Sequence, residues 1–106
     1  MLGIEINKRI TGMLGFARRA GKTVIGTDLV CRAMPTGTVK LVVVADSASE
    51  PTKKKLFTKS EFYGIQKLLL RVSAEELGHL LGKSNAVVTV AITDERFAEE
   101  IIKAAN

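Results

Sequence analysis

A chain of 106 residues, 46 % apolar and 25 % charged, has the size and composition of one globular domain and excludes disorder. Two prolines and nine glycines exclude collagen-like and proline-rich architectures, a single cysteine excludes an internal disulfide, and no apolar run approaches the ~20 residues of a membrane helix. The formal charge is +5, with 11 basic and 4 acidic side chains in residues 1–60 against 5 and 7 in residues 61–106. Such a basic half suggests a polyanion partner, nucleic acid being the usual one, although +5 is also ordinary for a soluble protein.

Met1-Leu2-Gly3-Ile4-Glu5 places an acid where a signal peptide has its basic region, so a cytoplasmic protein is expected. Ile6, Ile10, Met13, Leu14 and Ala17 recur at helical spacing, which predicts an amphipathic helix over about 6–20, closed by Gly21. Val24-Ile25 is long enough only for a strand fragment. Gly26-Thr27-Asp28 opens a second helix with Leu29, Val30, Ala33 and Met34 on its apolar stripe, stopped by Pro35 and Gly37.

The run from Val39 to Ala45 predicts a strand covered on both faces. Ser49 and Pro51 signal a third helix, with Lys53 to Phe62 in its body and Gly64 beyond it. Leu68–Val72 reads as a strand. Ser73 and Glu76 form a capping box for a short helix carrying Leu77, Leu80 and Leu81, which Gly82 ends. Val87–Ile92 reads as another strand, and Thr93-Asp94 caps a last helix whose Phe97, Ala98, Ile101, Ile102 and Ala105 point inward. Helices alternate with strands throughout, with no linker or repeat. The expected architecture is one α/β domain over residues 1–106, with a mixed sheet of about four strands between helices.

Two strings resemble the end of a phosphate-binding P-loop, Gly21-Lys22-Thr23 and Gly82-Lys83-Ser84. The glycine required five residues earlier is Phe16 in one and Leu77 in the other, so no nucleoside-triphosphatase is expected. Cys31 and His79 lack a third, orienting group in any local pattern, and neither metal-ligand clusters nor cofactor motifs occur. Cys31 reads as a small helix residue, and His79 as a surface or RNA-proximal one. The carboxylates at helix starts and on outer faces fit capping and solubility roles. No enzymatic activity, metal or cofactor is expected. Lys53-Lys54-Lys55 with Lys59 reads first as a solvated face, with a supporting phosphate contact as the alternative.

Gly26 and Thr27 stand where a helix presents unpaired amides and the positive end of its dipole, which favours an anion. Asp28 and Arg32 share a helical face; they could read a guanine edge and hold a phosphate, or form an ordinary i,i+4 ion pair worth about 0.3–0.5 kcal/mol.

Gly-Lys-x-x-x-Gly-Thr-x-x-Val-x-Arg-Ala in this segment, then Lys40 to Ala48, Glu76-Leu77-Gly78-His79-Leu80-Leu81-Gly82 and Val90-Ala91-Ile92, resemble the L-seven-Ae/L-thirty-e ribosomal protein family. The likeness runs in order over about residues 8–105 and is closest to small bacterial, ribosomal-protein-like members. It implies a three-layer α/β/α sandwich with a four-stranded mixed sheet, and binding of kink-turn or other structured RNA. By the same resemblance, Gly26, Thr27 and Asp28 would enter the widened groove, with Leu29 and Arg32 at its flank. Lys83, Ser84 and Asn85 would pack against the extruded nucleotide, and Lys22 matches a basic position beside that surface.

The family usually has Asn-Glu where this chain has Asp28-Leu29, and an apolar loop where it has Lys83-Ser84-Asn85. Both changes favour phosphate contacts over base readout. The expected function is therefore non-enzymatic binding of ribosomal or other structured RNA, as a monomer associated with the ribosome. The competing expectation is a protein-docking module without direct RNA contact, to which the apolar Leu29 points.

Overall fold

The computed structural model describes residues 3–106; Met1 and Leu2, where the amino-terminal reading above begins, lie outside them. Five helices and four strands follow in the order α1 (Lys8–Arg19), β1 (Thr23–Ile25), α2 (Thr27–Ala33), β2 (Leu41–Ala45), α3 (Glu50–Phe62), β3 (Gln66–Leu70), α4 (Ala74–Leu80), β4 (Thr89–Ile92) and α5 (Glu95–Ala105). A single 3-10 turn, Met34–Thr36, carries α2 to Gly37, where a left-handed conformation (φ 81°) turns the chain toward β2.

Local chemistry sets the helix starts. Asn7 caps α1 by accepting the Ile10 amide at 2.9 Å, and its own amide group donates to the Ala104 carbonyl of α5. Ser49 caps α3 with Pro51 in its first turn, and Asp94 caps α5 through the Phe97 amide. The capping box at α4 is complete: the Glu76 amide donates to the Ser73 hydroxyl at 3.0 Å, and the Ser73 amide donates to the Glu76 carboxylate at 3.2 Å.

The sheet runs in the order β1-β4-β2-β3. β2 and β3 are parallel, while β4 lies antiparallel to both β1 and β2, giving the expected mixed sheet. Alternation along β2 divides one apolar run between two cores. Leu41, Val43 and Ala45 pack with Ile10 and Leu14 of α1, Leu77 of α4 and Ile101 of α5. Val42 and Val44 point the other way, to Val30 of α2 and Leu56 of α3. The result is the three-layer α/β/α sandwich, with α1, α4 and α5 on one face and α2 and α3 on the other.

Three strands begin or end differently from their apolar runs. The β3 ladder covers Gln66–Leu70, two residues earlier than expected, because Gly64 (φ 66°) delivers the chain straight from α3 into the sheet. Val72 is buried yet lies past the ladder, while Val39 and Val87 are buried just before theirs. Hydrophobicity marks burial, and burial extends beyond strand pairing wherever a loop runs under a helix.

The outer α1–α5 seam carries an ion pair between Arg9 and Glu100, with the Lys103 ammonium 4.0 Å from the same carboxylate. The Arg9 hydrogen bond first, then its charge, hold the Glu100 carboxyl below the usual carboxylate range; Lys103 adds to this and partial burial opposes it. A lowered carboxyl pKa stabilises the fold above the unfolded glutamate value of about 4.3 and is lost as pH falls through the lowered folded value. Arg9→Ala is therefore expected to lower the melting temperature at pH 7. The gap to the wild type should close in melting curves taken at progressively lower acid pH.

Candidate nucleic-acid interface

β1 and β2 end, and β4 begins, at one end of the sheet. Ile25 sits opposite Val90, and the Ala45 amide donates to the Val88 carbonyl at 2.8 Å. The β1–α2 turn and the Gly82–Val88 loop therefore meet there, although nearly sixty residues separate them.

Gly26 makes the turn in a backbone conformation (φ 105°, ψ 144°) that is accessible essentially to glycine alone. Its amide is not free as expected: it donates to the Thr89 carbonyl at 3.1 Å and ties the turn to β4. Thr89 is itself fully buried, its hydroxyl donating to the Val43 carbonyl at 2.9 Å. The unpaired amides belong instead to Thr27, Asp28 and Leu29, which meet no acceptor among the described residues, and no side chain caps the helix. Gly26→Ala should destabilise the protein by about 1–3 kcal/mol through backbone strain alone. Nothing lies within 4 Å of the added methyl, so a denaturant melt reads that strain without a clash.

Asp28, Leu29 and Arg32 all face solvent on α2. Among the described residues neither Asp28 nor Arg32 enters an ion pair. They line a hollow of about 480 Å³ between α2 and α3, together with Cys31, Lys55 and Lys59. On the other flank of α2 a hollow of about 420 Å³ is lined by Leu29, Arg18, Gly21, Lys83 and the β1 residues Thr23 to Ile25. The ridge formed by the start of α2 thus stands between two basic hollows.

Lys83 reaches this face because its loop is pressed onto α4. The Lys83 amide donates to the Gly78 carbonyl at 2.8 Å and the Val87 amide to the Ala74 carbonyl at 3.0 Å. Ser84 and Asn85 stand exposed on the same loop. Gly78 permits the packing: a side-chain carbon there would fall 2.2 Å from the Asn85 carbonyl oxygen.

Lys22 is exposed at the start of β1, between Gly21 and Thr23, which both line the hollow that holds Leu29 and Lys83. Its carbonyl accepts the Thr93 amide at 2.9 Å, which places it where β4 ends. That is the opposite end of β1 from Gly26, about 13 Å away along extended chain. The structure also brings in Arg18, Lys55 and Lys59. Sequence spacing places Lys55 and Lys59 on one helical face but does not show that α2 lies beside it, and nothing local singles out Arg18. His79 is exposed and shares a third hollow with Arg18 and Arg19. It sits on α4, across the sheet from the buried Cys31 on α2, so the two form no catalytic pair. Among the described residues no group of three His, Cys, Asp or Glu side chains is placed to hold a metal, and no helix is long and apolar enough to cross a membrane.

An α/β/α sandwich whose one sheet end carries a glycine-led helix start between two basic hollows defines a small protein with a surface suited to anions. Residues 8–102 match the model of the ribosomal protein L7Ae/L30e/S12e/Gadd45 family, and the chain belongs to that family. It is 39 % identical over 90 residues to the RNA-binding protein YlxQ of Bacillus subtilis (strain 168), across 85 % of this chain and 88 % of that one. It is 34 % identical over 90 residues to the large ribosomal subunit protein eL30 of Sulfolobus acidocaldarius, across 85 % of this chain and 86 % of the other. A solved structure of a Bacillus halodurans C protein of unknown function superposes with a TM-score of 0.85 at 29 % identity, covering 92 % of this chain and 96 % of its own.

Proposed function

We propose that the protein binds structured RNA, in association with the ribosome, through the start of α2 and the loop packed on α4. The observation that carries this reading is convergence. Arg18, Arg32 and Lys83, from three separate segments, line the hollows on either side of the start of α2, around amides that meet no acceptor among the described residues. Family membership and the RNA-binding and ribosomal relatives support it.

In this reading the Thr27, Asp28 and Leu29 amides receive a phosphate or a base edge, and Gly26 keeps the turn free of a side chain. Asp28 accepts a hydrogen bond from a base, Arg32 and Lys83 hold phosphates, and Ser84 and Asn85 meet a base that leaves the stack. Lys22, between two residues that line the Lys83 hollow, adds a phosphate contact at its edge. The chain acts as one domain and a monomer in the cytoplasm, without catalysis, cofactor or metal. A kink-turn is the form of RNA proposed, with phosphate contacts providing most of the affinity because the Asp28 carboxylate cannot donate and the Leu29 side chain can neither donate nor accept.

Leu29, 54 % exposed between the two hollows, favours a second reading in which the same ridge docks on a ribosomal protein. Titration of a labelled kink-turn RNA and of a plain duplex of equal length, from about 50 to 300 mM salt, separates the readings. Tighter binding of the kinked RNA throughout is expected. Absence of binding to either RNA overturns the RNA reading and leaves the protein-docking one.

A further inference from the structure

We infer that Lys55 and Lys59 of α3, with Arg32 of α2, form a second phosphate track, which holds the backbone of a helical stem flanking the RNA bound at the start of α2. The inference rests on the RNA reading above and extends its footprint around the far side of α2.

The charges on α3 are sorted by position. Its two carboxylates are taken: Glu50 pairs with Lys53 at 3.1 Å and Glu61 with Lys67 at 3.2 Å. Lys67 also lies 5.8 Å from the centre of the Phe57 ring. Among the described residues no ion pair takes Lys55 or Lys59. Four residues apart, these two lie on one face of α3 and line the hollow beside α2 with Arg32. Asp28 is the one acid at that hollow, so three cations against one carboxylate leave it net positive. Like charges held together repel one another, and a bound polyanion removes that repulsion.

The spacing of the track is fixed before binding. Leu56 beside Lys55 is fully buried, and it packs in one core with Val30 and Cys31 of α2. The three cationic stems therefore project from a rigid pair of helices, which lowers the ordering cost of a contact. The hollow also begins where the first site leaves off: Asp28 lines it, while the neighbouring Leu29 lines the hollow on the other flank. From Asp28 to Arg32 it follows α2 for about 6 Å.

The residue types select the ligand. Lysine ammonium groups are compact point charges that suit single phosphate oxygens, and two of the three cations are lysines. A double-stranded RNA stem is contacted mainly through phosphates and 2′-hydroxyls, because its major groove is too narrow to admit side chains. A stem backbone fits three cations without an aromatic platform.

The test compares two kink-turn RNAs, one with minimal stems and one with a stem extended by about one helical turn, on wild type and Lys55→Ala/Lys59→Ala. With wild type, the extension should raise affinity and steepen the dependence of log K on log salt by about two contacts, roughly tenfold between 50 and 200 mM. With the double variant that increment should vanish, while the melting temperature stays unchanged. An increment equal to that of wild type overturns the track and leaves the primary site standing. A wild type that binds neither RNA overturns both.

Discussion

Replacing Gly78 with alanine will lower the melting temperature by about 5–15 °C and weaken RNA binding, although the residue lies inside α4 and alanine is the better helix former. The new methyl carbon would meet the Asn85 carbonyl oxygen at 2.2 Å, the Asn85 carbonyl carbon at 3.3 Å and the Val87 amide nitrogen at 3.5 Å. These are backbone atoms, so no side chain can swing aside and the loop itself must lift. Overpacking of this kind costs about 1–3 kcal/mol, more than the ~1 kcal/mol that helix propensity returns. Lifting the loop also strains the bonds from the Lys83 amide to Gly78 and from the Val87 amide to Ala74, which place Lys83, Ser84 and Asn85 beside α2. Gly12→Ala is the control. It too lies within a helix, but nothing stands within 4 Å of its added carbon, so it should stabilise slightly and leave binding unchanged. If Gly78→Ala melts like wild type, the loop does not depend on that close approach.

Removing the cations on both flanks of α2 should have the largest effect on affinity. Arg32→Ala with Lys83→Ala takes one positive charge from each hollow, and both side chains are exposed, so the melting temperature should not move. Each lost phosphate contact reduces the salt slope by about one, so the double variant should bind about tenfold more weakly at low salt and with a slope about two units flatter. Arg96→Ala, on the exposed side of α5, removes the same kind of charge away from this end of the sheet and should leave the slope unchanged. An unchanged slope in the double variant would show that the binding face is elsewhere on the molecule.

Much of the fold is legible in the chain because it rests on short-range rules. Asn7, Ser49, Ser73 and Asp94 set the starts of α1, α3, α4 and α5, and the Ser73–Glu76 box is readable from four residues. The run from Leu41 to Ala45 announces a strand buried on both faces, since neither face carries a polar side chain. Strand ends were less legible. Val39, Val72 and Val87 are apolar because they pass under helices, and hydropathy does not separate such residues from those in the ladder.

The candidate site divides in the same way. The chain alone displays the glycine-led helix start, the Asp28–Arg32 face and the basic loop at Lys83, since each is a local pattern. It could not show that the Gly26 amide is spent on Thr89, because that bond joins residues 63 positions apart. Nor could it bring Arg18, Lys55 and Lys59 to the flanks of α2. Those positions follow from the strand order β1-β4-β2-β3, which sets which loops share an end, and from the packing of α2 against α3. Local propensity fixes where an element begins and which face is apolar; which two faces meet is decided by the burial of both cores at once.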